Sequence, residues 1–184
     1  MSGTPKTLLL TGASRGIGHA TVRRFSETGW RIITASREAV PPECKRDPNW
    51  THHVTADLAD AHAAAHFIDE VHAILGADAL HALVNNAGVS PKTPFRERLG
   101  CLNGDLAAWH DVFQLNFFTP LTLARGFAAA LARGKGAIVN VTSIGSSRAR
   151  ESSSVAVRDT PMTRAPSEAS RTAVARPMPR PALP

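Results

Sequence analysis

Three glycines, Gly12, Gly16 and Gly18, stand where the apolar run Thr7-Leu8-Leu9-Leu10 gives way to a helical pattern through Ala20, Val22 and Phe25 toward Gly29. At such a junction each glycine has its own task. Gly12 permits a tight turn, Gly16 lets the backbone approach a pyrophosphate, and Gly18 allows close packing of helix on strand. The phosphates would rest on the free N–H groups and positive end of the helix. A strand before and a helix after favour this reading over a tight turn with no ligand. No Gly-Lys-Ser/Thr follows, which excludes a nucleoside-triphosphate loop. The next β-rich run ends in Thr34-Ala35-Ser36-Arg37. A free ribose 2′-hydroxyl is commonly gripped there by Asp or Glu. Ser36 and Arg37, with Arg15 from the glycine loop, suit a 2′-phosphate instead, and Glu38 one residue on opposes that preference. NADP(H) is therefore expected over NAD(H).

Other chemistry-bearing residues are weaker candidates. His62, His66 and Asp69 lie at i, i+4 and i+7, enough for part of a metal site. They fall on the polar side of a helix whose other side carries Phe67, Ile68 and Val71, and no second ligand group accompanies them, so no metal is expected. Cys44 and Cys101 are too few for a disulfide framework and suit a reducing cytoplasm. The longest apolar runs are under ten residues, so no membrane span and no secretory signal are expected.

These residues need a sheet to position them. From Thr7 to about Ser147, short β-rich runs alternate with helical patterns, the signature of βαβ units and a parallel sheet. Strands are expected at Thr7–Leu10, Arg31–Ala35, His52–Ala56, Ala82–Asn85 and Ala137–Val141. Asp60 caps a helix whose apolar positions Ala64, Phe67, Ile68, Val71, Ile74 and Leu75 recur at three and four, and Gly76 closes it. Asp105 caps another helix through Trp109, Val112, Phe113 and Asn116, which Pro120 is expected to kink before Leu121–Leu131. With 184 residues, 43% of them apolar, the chain suits one α/β domain.

Composition changes after Ser147. Residues 148–184 hold seven Arg and six Pro, no Gly, no Lys, no His and no aromatic residue. That segment carries +4 of the formal charge of +6, so a nucleic-acid role would rest on it alone, and none is expected. So polar and proline-rich a stretch buries too little to offset its ordering entropy, and it is expected to be disordered. The domain division is thus 1–147 and 148–184.

The pattern as a whole resembles the short-chain dehydrogenase/reductase family, classical type. Thr11-Gly12-x-x-x-Gly16-Ile17-Gly18 matches its cofactor motif. Asp57-Leu58 follows the third strand, Asn85-Asn86-Ala87-Gly88 the fourth, Asn116 lies in the next helix, and Ser143 ends the fifth strand. The landmarks appear in family order from Thr7 to about Ser147. The resemblance implies a Rossmann-type doubly wound sheet, here cut off after the fifth strand, and hydride transfer between a nicotinamide and a small alcohol or carbonyl compound. The cofactor-binding set it implies is Thr11, Gly12, Ser14, Arg15, Gly16, Ile17, Gly18, Ser36, Arg37, Asp57, Leu58, Asn85, Ala87 and Gly88. Asp57 would accept from the adenine amino group, or else cap a helix. Asn116 would bend its helix and help hold a water of the proton relay, and Ser143 would polarise the substrate carbonyl. A homo-oligomer is compatible with the family, weakened here by the lost later half.

The family also uses a tyrosine about a dozen residues after that serine, and a lysine one helical turn further. Thirteen residues beyond Ser143 stands Ala156, four further stands Thr160, and the sequence has no tyrosine at all. A phenol of pKa near 10 must be depressed to act near neutrality, which is the lysine's part. Residues from about Arg148 therefore read as something other than the family's native continuation, as from a shifted reading frame in a GC-rich gene or a spliced or truncated product. The chain is expected to be an NADP-dependent oxidoreductase by descent but catalytically incomplete; the alternative is a non-catalytic dinucleotide-binding or interaction module with a basic tail.

Overall fold

A computed structural model of the chain describes residues 4–39, 48–90, 92 and 105–142. The expected disordered tail, Ser143 and both cysteines lie outside the described residues. The elements run β1 (Thr7–Thr11), α1 (Gly16–Ser26), β2 (Arg31–Ser36), β3 (Trp50–Thr55), α2 (Ala61–Leu75), β4 (Ala82–Asn85), α3 (Leu106–Phe113), a π-helical turn (Gln114–Phe118), α4 (Thr119–Gly126), α5 (Ala128–Gly134) and β5 (Ala137–Asn140). All strand pairs are parallel, in the order β3-β2-β1-β4-β5.

The central strands are apolar because both of their faces are covered. In β1, Leu9 joins Ile33, Val54 and Leu83 on the face packed by Phe67, Val71 and Leu75 of α2 and by Leu123, Phe127 and Leu131 around α4 and α5. Leu8 and Leu10 point the other way, joining Ile32, Val84 and Val22 of α1. The chain adds β2 and β3 on one side of β1 and then crosses to β4 on the other. In open α/β sheets such a reversal leaves a crevice at the carboxyl ends of the strands, where ligands bind.

Local signals hold at most boundaries. The Asp60 carboxylate accepts from His62 N at 2.8 Å, and Gly76 ends α2 at φ 55°, its N–H donating to the His72 carbonyl. Asp105 accepts from Ala108 N at 2.8 Å to start α3. Four strand ends fall one residue from expectation, at Thr11, Ser36, Thr55 and Asn140. Two differences are larger. β3 begins at Trp50 rather than His52, because a register irregularity between Ile32 and Ile33 carries the pairing past Thr51. The irregularity near Pro120 is not a simple kink: the helix widens into a π turn before the proline, then breaks at Phe127, whose φ of −98° and ψ of 6° are not helical.

Candidate dinucleotide site

The glycine loop is tied down on both sides. From β2, the Ala35 carbonyl accepts from Gly12 N at 2.8 Å and Ala13 N at 3.3 Å. From β4, the turn after Asn85 latches onto Thr11. The Thr11 hydroxyl oxygen accepts from Asn86 N at 3.1 Å and Ala87 N at 3.0 Å, and its hydrogen faces the Val84 carbonyl at 3.5 Å. Asn86 Nδ2 donates in return to the Gly12 carbonyl at 2.8 Å and the Thr11 carbonyl at 3.2 Å. Threonine and asparagine suit this place because their side chains satisfy half-buried backbone groups beyond the ends of the strands.

The glycines divide as their spacing suggested. Gly12 has φ 70°, and a Cβ there would stand 2.8 Å from the backbone of Ala87. At Gly18 a Cβ would run into the Gly12 carbonyl oxygen, so this glycine serves internal packing. Gly16, at φ 55°, has nothing within 4 Å of the position a Cβ would take. The loop is thus closed at Gly12 and Gly18 and open at Gly16, at the start of α1.

A cleft of about 260 Å³ lies at the carboxyl ends of β1 to β4. Gly12, Ser14, Arg15 and Ile17 line it from the loop, Ser36 and Arg37 from the end of β2, and Ala56, Asp57 and Leu58 from the segment after β3. Asn86, Ala87, Gly88 and Val89 close it beyond β4, with Leu115 from the π turn. Arg15 and Arg37 are exposed and, among the described residues, have no ion-pair partner. Asp57 accepts from Ala59 N at 3.1 Å, a turn contact just before α2. Ser36 is buried, and its hydroxyl donates to the Glu38 carbonyl at 2.6 Å.

Four residues expected to touch cofactor do not line the cleft. Thr11 and Gly18 are buried within the loop, Gly16 is exposed at the start of α1, and Asn85 is buried with its Nδ2 donating to Asn140 Oδ1 of β5 at 2.9 Å. Four that line it were outside the expected set: Ala56, Asn86, Val89 and Leu115. Asn86 had a signal, being the neighbour of Asn85 in one motif; Leu115 read as an ordinary apolar helix position. Asn116 spends its side chain on Val89, accepting from Val89 N at 2.9 Å and donating to the Val89 carbonyl at 2.8 Å. Thr119 Oγ1 donates to the Leu58 carbonyl at 2.6 Å, which ties the start of α4, just after the π turn, to the Asp57–Leu58 wall. Among the described residues, no group of three or more His, Cys, Asp or Glu side chains could hold a metal, and no helix is long and apolar enough to cross a membrane.

A parallel sheet reversing direction at β1, with a glycine loop opening a helix beside a cleft at the strand ends, defines a dinucleotide-binding Rossmann fold. The sequence profile of the short chain dehydrogenases matches residues 6–155, and the chain belongs to that family, whose members are NAD(P)-binding oxidoreductases. It is 49% identical over 147 residues to the protein FixR of Bradyrhizobium diazoefficiens, an alignment covering 79% of this chain and 53% of that one. A Brucella ovis oxidoreductase of the family, solved with a partially ordered NAD, matches with a TM-score of 0.74 and 48% identity over 80% of this chain and 67% of that one. A metagenomic short-chain oxidoreductase solved with NADP matches with a TM-score of 0.65 and 29% identity, covering 76% of this chain and 62% of that one. The chain spans about half the length of the curated relatives it matches.

Proposed function

We propose that the chain binds NADP(H) in preference to NAD(H) in this cleft. The observation that carries the reading is the pair of guanidinium groups, Arg15 and Arg37, without an ion-pair partner among the described residues and lining one wall of the cleft where an NAD site would present a carboxylate. The open start of α1 at Gly16 suits the pyrophosphate, and the Asp57–Leu58 wall suits the adenine. Ser36 has its hydroxyl hydrogen turned to the Glu38 carbonyl, so recognition of a 2′-phosphate falls to the two arginines, and Ser36 shapes the turn between them. A charge-assisted contact of this kind contributes about 1.5–3 kcal/mol, or roughly a tenfold to hundredfold preference. Fluorescence titration of parent and Arg37→Glu with NADPH and NADH tests it. The parent should favour NADPH, and the substitution should abolish or invert the preference. An unchanged ratio would refute the assignment.

Bound there, a nicotinamide supplies a hydride donor or acceptor for a small alcohol or carbonyl compound. Ser143 is the proposed donor to the substrate oxygen and Asn116 the residue that shapes the neighbouring helix. A serine hydroxyl is a poor acid at neutral pH, and the chain offers no tyrosine to hold or give the proton. Losing general acid–base catalysis costs about 10²–10⁴-fold. This chain as it stands is therefore proposed to bind cofactor without appreciable turnover. Purified protein assayed with NADPH against a panel of aldehydes and ketones checks this. Turnover of about one per second that disappears in Ser143→Ala would overturn it.

A further inference from the structure

We infer that His53, on the edge strand β3, is a positioning residue for the turn that carries Arg37, and through that turn helps discriminate a 2′-phosphate from a 2′-hydroxyl in the cofactor. The inference rests on the NADP(H) reading above and extends it to a residue outside the cleft. His53 does not line the cavity, yet its ring reaches both neighbours of Arg37 in the chain. Nε2 lies 3.0 Å from the Glu38 carbonyl oxygen and 3.2 Å from Ser36 Oγ. The backbone of Arg37 is bracketed by those two contacts.

The direction of the hydrogen bonds follows from their ends. Trp50 Nε1 can only donate, and does so to Thr34 Oγ1 at 2.7 Å. Thr34 Oγ1 stands 2.8 Å from His53 Nδ1, much closer than its other acceptor, the His52 carbonyl at 3.4 Å. A carbonyl oxygen can only accept, so at the far end Nε2 must donate to Glu38. A ring hydrogen on Nε2 completes the series, from indole N–H through threonine hydroxyl and imidazole to the carbonyl beyond Arg37. Ser36 Oγ donates to the same carbonyl.

The register irregularity in β3 makes the series geometrically possible. Trp50 pairs with Ile32, His52 with Ile33 and His53 with Thr34, which leaves Thr51 as the extra residue. In an unbroken strand, positions 50 and 53 would face opposite sides of the sheet. The extra residue brings Trp50 and His53 to one face, where both reach Thr34 and their rings meet edge-on, centroids 6.3 Å apart. A bulge that re-aims side chains beside a binding site is a recurrent device in sheets.

The test uses the full chain and three substitutions, with affinities for NADPH and NADH read by fluorescence and folding by thermal melting. His53→Leu removes the polar contacts of the ring with Thr34, Ser36 and Glu38. His53→Gln keeps a donor at about the reach of Nε2, and His53→Asn keeps only a group near Nδ1. His53→Leu and His53→Asn should each weaken NADPH by about fivefold, the worth of one hydrogen bond, with NADH changed less than twofold. His53→Gln should retain most of the NADPH affinity. Equal weakening of both cofactors would mean a merely structural role and would overturn the inference, as would failure of His53→Gln to differ from His53→Asn. If His53→Leu does not fold, the Gln and Asn pair decides the matter alone. Arg37→Glu separates the two levels. A parent with no NADPH preference sinks the underlying reading and this one with it. A preference lost in Arg37→Glu but unchanged in His53→Leu and His53→Asn sinks the role of His53 alone.

Discussion

Alanine at Gly18 and alanine at Gly16 should fail in opposite ways. A Cβ on Gly18 would collide with the Gly12 carbonyl oxygen and come within 2.7 Å of Asn86 Nδ2. Those two atoms are themselves hydrogen-bonded at 2.8 Å, so neither can retreat without opening the latch between the glycine loop and β4. Overpacking of this kind costs about 1–3 kcal/mol, and the weakened hydrogen bond adds about 1 kcal/mol. For a chain of this size each kcal/mol lowers the Tm by roughly 2–4 °C, so Gly18→Ala should melt roughly 4–16 °C lower than the parent. At Gly16 there is nothing within 4 Å to meet, and the charge against stability is only that of φ 55°. A left-handed backbone costs an L-residue about 1–2 kcal/mol, a drop of roughly 2–8 °C. The added methyl would stand over the open start of α1, where the proposed reading lays the pyrophosphate. Gly16→Ala should therefore fold and lose about tenfold in NADPH affinity, or 1.4 kcal/mol. Thermal melting and NADPH fluorescence on the same two preparations give both numbers. Undiminished NADPH binding by Gly16→Ala, or a Gly18→Ala that melts no lower than Gly16→Ala, would refute this division of roles.

Two further outcomes bear on the scaffold. Thr11→Val should strand the half-buried Asn86 and Ala87 N–H groups without an acceptor and lose about 2–4 kcal/mol, at about 1–2 kcal/mol for each half-buried group, while Thr11→Ser recovers most of it; equal urea midpoints for the two variants would show that the hydroxyl is not the latch. Phe127→Ala removes a fully buried ring that meets Phe67 edge-on at 6.3 Å and His72 at 5.2 Å. Its unfolding free energy should fall by about 3–5 kcal/mol, and a loss below about 1 kcal/mol would mean that the junction of α4 and α5 is not packed onto α2.

What could be read from the sequence was whatever depends on residues near in the chain. Asp60 and Gly76 bound α2 as expected because a cap needs only its own helix turn. The glycine loop was legible for the same reason, since strand, turn and helix are contiguous. The two adjacent asparagines were not. Successive strand residues face opposite sides, but nothing local says whether Asn85 or Asn86 looks toward the glycine loop. The register of β4 against β1 and β5 decides it, sending Asn85 to Asn140 and Asn86 to Gly12. Ser36 is legible in part: its type suits a phosphate and it lines the cleft, but the hydrogen bonds of its hydroxyl with Glu38 and His53 are set by the fold.

Pro120 illustrates the limit most clearly. Proline lacks an N–H, and its ring crowds the carbonyl four residues earlier, here that of Asn116. The sequence therefore shows that the regular helical ladder must fail between Asn116 and Pro120. It does not show how. A kink at the proline would swing the two halves of the helix apart. The chain instead widens by one residue, with Thr119 N–H donating to the Gln114 carbonyl five positions back. The wide turn keeps the helix running into α4, where Leu123 and Phe127 stay buried against α2. It also places Leu115 in the cleft wall and lets the Asn116 amide meet both backbone groups of Val89. The choice between kink and wide turn is thus made by partners far away in the chain: Val89 beyond β4, Leu58 bonded to Thr119, and the apolar face of α2. A π turn held by three such contacts, beside a binding cleft, is where an otherwise strained ladder does most to position side chains.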